Sequence, residues 1–228
     1  MALPVSEFIH FQLKSSVKPE DPSNEEGQAL LQLFQTAKHQ SGYKSSAWGR
    51  TVEDENIVVW VVNTTDWADA HEGIQPQFLA PYIEPNTQVS VIFATLTPSI
   101  TETESLTTNP VTELVALTVP SSLTPDEQKK LNADLIEFRA ALTEKLPEGG
   151  RPKSWAMAQV ERPGTLEHEK SPSGQAVLHL LAVGWESVDV HKAARETEEF
   201  KRTIAPIREK VIPSVPPLGM KHVSFRKV

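Results

Sequence analysis

The chain has 228 residues, 39% hydrophobic and 23% charged, with a formal net charge of −8, which is enough apolar material for one large or two small cores. That acidic balance argues against nucleic acid as a partner, since binding it takes clustered Lys and Arg, and no apolar run reaches the roughly 18 residues of a membrane helix. Having no cysteine, the chain can form no disulfide, thiolate nucleophile or Cys-ligated metal site. Its first residues, MALPVSEF, lack the pattern of a secretory signal, so a cytoplasmic protein is expected.

Ser6 to Lys14 alternates, with Ile9, Phe11 and Leu13 on one face and Phe8, His10 and Gln12 on the other, which predicts a strand. After a Pro- and Asp-containing loop, Leu30, Leu33, Phe34 and Ala37 recur at helical spacing until Gly42 stops the helix. Tyr43 to Val52 and Ile57 to Val62 read as a second and third strand around an acidic turn, Glu53-Asp54-Glu55. Asp66 can cap a short helix carrying Trp67 and His71, which Gly73 and Pro76 keep irregular, and Gln88 to Leu96 makes a fourth strand.

The same order then recurs. Thr112 to Val119 is a strand with Val115, Leu117 and Val119 on one face. Thr124-Pro125-Asp126-Glu127 is a capping box with Pro at the first helical position, and Leu131, Leu135, Phe138 and Leu142 form the buried stripe of the helix it starts. Ser154 to Val160 and Ala176 to Val183 are the second and third strands, separated by a loop around residues 162–174. A long helix is expected from Val188, with Ala193, Phe200, Ile204 and Ile207 inward and a bend at Pro206, and Lys221 to Lys227 closes the half as a strand. The domains are therefore residues 1–98 and 111–228, joined by a Thr- and Ser-rich linker over 99–110.

The two third strands do not alternate. Each must be covered on both faces, and one helix layer covers only one. The economical solution is an α+β fold of two tandem ferredoxin-like β-α-β-β-α-β units, whose antiparallel sheets face each other as a barrel with helices outside. A second correspondence supports the repeat: Asp69 and His71 follow the first third strand as Asp189 and His191 follow the second.

This order, with Trp185-Glu186-Ser187-Val188-x-x-His191 after the third strand, resembles the dimeric α+β barrel superfamily in fused form. That group includes antibiotic-biosynthesis monooxygenases, small polyketide cyclases and stress-responsive A/B-barrel proteins. The resemblance implies a barrel closed within one chain or across a homodimer. It also points to natural-product biosynthesis, and to the segment after the third strand, where cyclase members use a Tyr and a His. His71 and Tyr82 lie in that segment of the first half, at a different spacing.

Candidate chemistry centres on the first half. His10 is predicted to face the barrel interior and His71 its rim, both as proton-transfer groups, with Arg50 as an oxyanion clamp. Trp48, Trp60, Phe8, Tyr82 and Trp67 are candidates for an aromatic wall against a hydrophobic ligand. His179 interrupts an apolar strand and needs a partner or a role. Glu167-His168-Glu169 lacks metal-ligand spacing and reads as a solvated loop, so no metal and no cofactor are expected. The leading expectation is a cofactor-free enzyme that cyclises or isomerises a hydrophobic polyketide- or terpenoid-like molecule by acid–base chemistry. A cofactor-independent monooxygenase is the first alternative, and a non-catalytic stress-responsive or ligand-binding barrel the second.

Overall fold

The structure is a computed structural model that describes residues 4–70 and 76–228. It begins with β1 (Val5–Gln12), whose Ile9 and Phe11 face outward while Phe8 and His10 face inward. Helix α1 (Glu25–Thr36) starts where the Asn24 side chain accepts a hydrogen bond from the Gly27 amide. It lays Leu30 and Phe34 onto Ile9, Phe11, Trp48 and Trp60. Strands β2 (Tyr43–Arg50) and β3 (Ile57–Thr64), the short α2 (Trp67–Ala70) and β4 (Ser90–Ala94) complete the first half.

Two helical turns, α3 (Ile100–Thr103) and α4 (Ser105–Thr108), occupy the segment expected to be a plain linker. Their Ile100 and Leu106 are buried with the inward-facing strand residues, so this connection is part of the core.

The second half runs β5 (Val111–Pro120), α5 (Pro125–Ala140), β6 (Ser154–Gln159), the two-residue β7 (Leu166–Glu167), β8 (Gln175–Trp185), α6 (Val188–Arg195), α7 (Glu198–Arg208), β9 (Lys221–Val223) and β10 (Arg226–Lys227). The expected capping box starts α5: the Thr124 hydroxyl accepts from the Glu127 amide and the Glu127 carboxylate accepts from the Thr124 amide. The single long helix expected from Val188 is two helices. Thr197 caps α7 through the Phe200 amide, and the break turns Ala194 inward in place of Ala193.

All strand pairs are antiparallel. The first sheet has the order β10-β2-β3-β1-β4; the second runs β6-β8-β5-β9, with β7 beside β8. The central strands β3 and β8 are covered on both faces, as their apolar runs require. Val59 and Val61 meet Leu178, Leu180 and Ala182 between the sheets, while Trp60 and Val62 face α1, and Leu181, Val183 and Trp185 face α5 and α7.

The expected barrel does not close. The ladder between β4 and β6 is reduced to single bridges, Phe93 to Arg162 and Thr97 to Met157. Strand β4 stops at Ala94, and Pro98 then offers no backbone N–H to continue the pairing. At the opposite margin the C-terminal segment stitches the sheets together, giving β9 to the second and β10 to the first.

Gly49 is what lets that segment lie flat. A Cβ at Gly49 would sit 2.5 Å from the Ser224 carbonyl oxygen and 2.7 Å from Val223 Cγ1. Gly49→Ala is expected to push the segment off the first sheet at a cost of about 1–3 kcal/mol. Chemical denaturation reads this directly, and a variant as stable as the parent would show that the segment yields freely.

Candidate functional site

Four residues of β5, Val111, Val115, Leu117 and Val119, present an apolar stripe to the outer helices, and Glu113 interrupts it. Opposite stand Phe138 and Leu142, then Phe200, Ile204 and Ile207 of α7, with Leu181 and Val183 of β8 and Trp155 of β6 alongside. Between these walls lies a cavity of about 220 Å³. Edge-to-face contacts of Phe138 with Trp155 (5.7 Å) and Phe200 (5.1 Å) hold the aromatic side of the wall. Arg195, Arg208 and Met220 complete the lining; Arg208 and Met220 are exposed and mark the mouth.

The polar end is built by the Trp-Glu-Ser segment. Strand β8 ends at Trp185, and the Ser187 hydroxyl then caps α6 by accepting from the Val190 amide at 3.1 Å. This places His191 one turn into the helix, stacked on Trp185 with ring centroids 4.8 Å apart and planes at 16°. The Trp185 indole N–H donates to Glu113 Oε2 at 3.0 Å, and His191 Nε2 lies 3.4 Å from the same oxygen. On its other side His191 Nδ1 meets His222 Nε2 at 2.7 Å. His222 Nδ1 in turn meets Glu53 Oε1 at 2.5 Å, and the His222 amide donates to both Glu53 oxygens. One chain of contacts thus joins β5, α6, β9 and the turn after β2.

Burial sets the charge states. It pushes the Glu113 carboxyl up to about 7, although the Trp185 N–H and the Arg195 charge act to lower it. Burial, then the His222 and Arg195 charges, bring His191 down to about 3, so its ring is neutral. Burial also acts to raise Glu53, but the hydrogen bonds from the His222 amide and ring outweigh it and keep that carboxyl below its ordinary range. A neutral imidazole and a carboxyl poised near neutrality, both facing an apolar cavity, can exchange protons with a bound molecule.

The site candidates drawn from the first half of the sequence do not gather here, and none of those described lines this cavity. His10 faces the space between the sheets as expected, but Leu114, Leu180 and Leu218 close around it and leave no room for a water-sized molecule. Burial and then the neighbouring Lys221 charge hold it neutral; its Nδ1 is 3.5 Å from Lys221 Nζ and its Nε2 has no partner. Arg50 is ion-paired to Glu20 at 2.8 Å and also bonds the Val17 and Glu55 carbonyls, so its guanidinium is already committed.

The aromatic candidates are dispersed rather than forming one wall. Trp48 and Trp60 pack on Phe34 under α1, Phe8 lies on the opposite face between the sheets, and Tyr82 packs at the edge of the α1 core. Trp67 contacts Phe93 and the Arg162 guanidinium. His71 and Gly73 lie outside the described residues. The cavity belongs to the 111–228 half, whereas the ligand was expected in the 1–98 half. There the corresponding space under α1 is filled by Phe11, Phe34, Trp48, Trp60 and Leu79.

Two further histidines have settled places. His168 is buried, bonding the Pro213 carbonyl through Nε2 and accepting from the Lys170 amide at Nδ1, so only the flanking Glu167, in β7, and Glu169 are solvent-exposed. His179 is buried beside Gln128, Asn132 and Gln159, and burial keeps it neutral. Among the described residues no group of three or more His, Asp or Glu is arranged to hold a metal ion. None of their helices is long and apolar enough to cross a membrane.

Sequence reasoning missed Glu113, Glu53, His222 and Arg195 as site residues, and saw Trp185 and His191 only as marks of the repeat. Glu113 did leave a signal, a carboxylate breaking an apolar stripe. Glu53 and His222 left none, being 169 positions apart.

No protein-family model matches the chain, and no curated protein matches it by sequence. Solved structures do match its fold over nearly the full length. An anthrone oxidase-like protein aligns with a TM-score of 0.60 at 12% identity, covering 98% of this chain and 93% of that one. A candidate chlorite dismutase aligns at 0.57 and 12%, covering 100% and 95%. A candidate monooxygenase of Fusobacterium nucleatum aligns at 0.54 and 12%, covering 99% and 93%. At such identities the likeness establishes the ferredoxin-like α+β fold, carried here by two antiparallel sheets.

Proposed function

We propose that the protein is an acid–base enzyme that takes a proton from carbon in a small hydrophobic carbonyl compound. In this reading the two halves are tandem ferredoxin-like units and the second holds the substrate. The observation that carries it is Glu113, a carboxyl poised near neutrality in the wall of an otherwise apolar cavity. Its carboxylate removes a proton next to the carbonyl. Arg195 lines the same cavity, and its charge, felt by both Glu113 and His191, is the one available to an enolate oxygen. Return of the proton to another carbon isomerises the substrate, and attack of the enolate carbon on an internal carbonyl cyclises it. At about 220 Å³ the cavity is below the roughly 300–1,000 Å³ of drug-sized sites, so the substrate is correspondingly small.

A second reading is favoured by the fold's company, an anthrone oxidase-like protein and a candidate monooxygenase. Here the carbanion left by the same proton abstraction gives its electrons to dioxygen. For anthrone, one dioxygen adds at the deprotonated carbon as a hydroperoxide, which loses one water to give anthraquinone.

One pair of assays tests both readings. Deuterium exchange into the α-positions of β-tetralone, followed by NMR, reads proton abstraction alone, and anthrone-dependent oxygen uptake reads the oxidative outcome. Catalysed exchange that disappears in Glu113→Gln supports the enzyme; uptake lost in the same variant adds the second reading. Binding of both probes with neither activity would leave a ligand-binding protein instead.

A further inference from the structure

We infer that His191, His222 and Glu53 form a proton conduit between the apolar cavity and a separate, open cleft on the other side of the C-terminal segment. The inference rests on Glu113 as the proton-transferring group and extends it to residues that touch no substrate.

The path has two ends in two different spaces. Glu113 and His191 line the apolar cavity. Glu53 lines a cleft of about 270 Å³ with Thr51, Asp54, Ser214 and Pro217, and its side chain is 44% exposed. Met220 borders both spaces and is the wall between them. The two histidines that bridge the wall are 2% and 3% exposed, so water does not reach the middle of the path. A buried histidine pair spanning two cavities is costly to desolvate and adds no packing that two apolar residues would not supply. Its connectivity is what the pair provides.

Hydrogen-bond geometry fixes the order of the protons. Glu53 is an ionised acceptor, so His222 carries a proton on Nδ1, and the conduit takes its Nε2 as bare. That bare nitrogen accepts from His191 Nδ1, which leaves His191 Nε2 bare toward Glu113. When Glu113 has taken a proton from substrate, it passes that proton to His191 Nε2. His191 releases its Nδ1 proton to His222 Nε2, and His222 releases its Nδ1 proton to Glu53, which loses it to water. Each ring gains one proton and gives up one, so neither becomes a lasting imidazolium. A proton returning from Glu53 to substrate reverses every step and restores the starting tautomers. The flanking charges are Arg195 beside the cavity end, and Lys221 and Asp54 at the cleft. The Arg195 charge discourages a positive charge on His191, which favours relay over storage.

The arrangement also explains how a substrate-filled cavity could exchange protons with solvent. A ligand filling an apolar cavity of this size blocks the mouth lined by Arg208 and Met220. The conduit leaves instead through the two buried histidines.

The test compares Glu53→Gln with the parent and with Glu113→Gln, using β-tetralone exchange in heavy water across a series of imidazole concentrations. In dilute buffer, Glu53→Gln should slow exchange by at least about tenfold, less than the roughly 100-fold expected for losing the acid–base group itself. Added imidazole, entering the cleft as a substitute acceptor, should restore the rate with an unchanged KM and melting profile. A loss that imidazole does not repair would mean that Glu53 only positions His222, and an unchanged rate in dilute buffer would also overturn the conduit. Either result, with Glu113→Gln still inactive, leaves the reading of Glu113 standing; an active Glu113→Gln removes that reading instead. A substrate-free measurement covers the case in which β-tetralone is not turned over. NMR of the imidazole nitrogens should place the proton of both rings on Nδ1 at neutral pH, and a His191 protonated on Nε2 overturns the conduit.

Discussion

Glu113→Gln is expected to lower β-tetralone exchange by roughly 100-fold or more, the scale for losing a general acid or base, while making the protein more stable above pH 7. Both effects have one cause. The folded protein holds this carboxyl at about 7, against 4.5 for an ordinary glutamate. Below 4.5 the group is protonated in both the folded and unfolded states, and it costs nothing. Between the two values the unfolded chain releases the proton and the folded one does not, so stability falls as pH rises. Above 7 the folded state carries a buried carboxylate at a full cost of about 3 kcal/mol. Glutamine keeps the shape and an oxygen to accept from the Trp185 N–H. It cannot ionise. Denaturation of parent and variant should therefore agree below pH 4.5 and diverge by up to about 3 kcal/mol above 7. Equal stabilities at both ends would mean that the carboxyl is hydrated and ordinary, and its role as base would lose its support.

That trade also bears on what a sequence discloses. The architecture was readable because apolar periodicity is local: the non-alternating runs of β3 and β8 demanded cover on both faces, and two facing sheets supply it. Thr124 to Glu127 specified a helix start within four residues, and the structure has it. Closure of the barrel was not local. It depended on where β4 stops and how the Pro98 region leaves the sheet, and these reduce the expected ladder to two bridges at that margin.

The chemistry was legible only where its residues lie close together in the chain. Trp185, Ser187 and His191 form one local device, a strand end, a cap and a stacked ring, and the sequence shows all three together. Glu113 was visible as a break in the stripe of β5. The partnership of Glu53 with His222 depends on the C-terminal segment crossing between sheets, which no pattern in either stretch announces. Conversely, Trp48 and Trp60 are large and conspicuous, and Arg50 shares the Trp48 face in the sequence. Packing under α1 uses the two rings, and ion pairing with Glu20 uses the guanidinium. Large side chains are as often what fills a space as what lines one.

Lys221→Met is expected to stabilise the protein at neutral pH by about 2 kcal/mol and to leave β-tetralone exchange unchanged. Lys221 is 6% exposed, its Nζ bonds the Pro217 carbonyl, and no carboxylate among the described residues lies within ion-pair distance of it. The nearest ring, His10, is held neutral and offers little compensation. Burial brings the amine down to about 8 from 10.5, with the Glu53 charge opposing. Below 8 the amine is charged in both states and the folded protein bears the whole desolvation cost, about 3 kcal/mol for a shift of that size. Between 8 and 10.5 the folded state has released a proton that the unfolded state still holds, so stability rises with pH, and above 10.5 the cost is gone. Methionine has a similar unbranched reach and no charge, and it fills the space while giving up a hydrogen bond worth about 1 kcal/mol. The gain should therefore shrink steadily from pH 8 upward and reverse about 1.5 pH units above it. Because Lys221 and His10 share the packed space between the sheets and not the cavity, the variant also separates the two regions. Unchanged exchange with raised stability places the chemistry on the helix side of the second sheet. Impaired exchange would draw the buried Lys221–His10 pair into the mechanism, and a loss of stability at pH 7 would show that the Pro217 bond outweighs the cost of the buried charge.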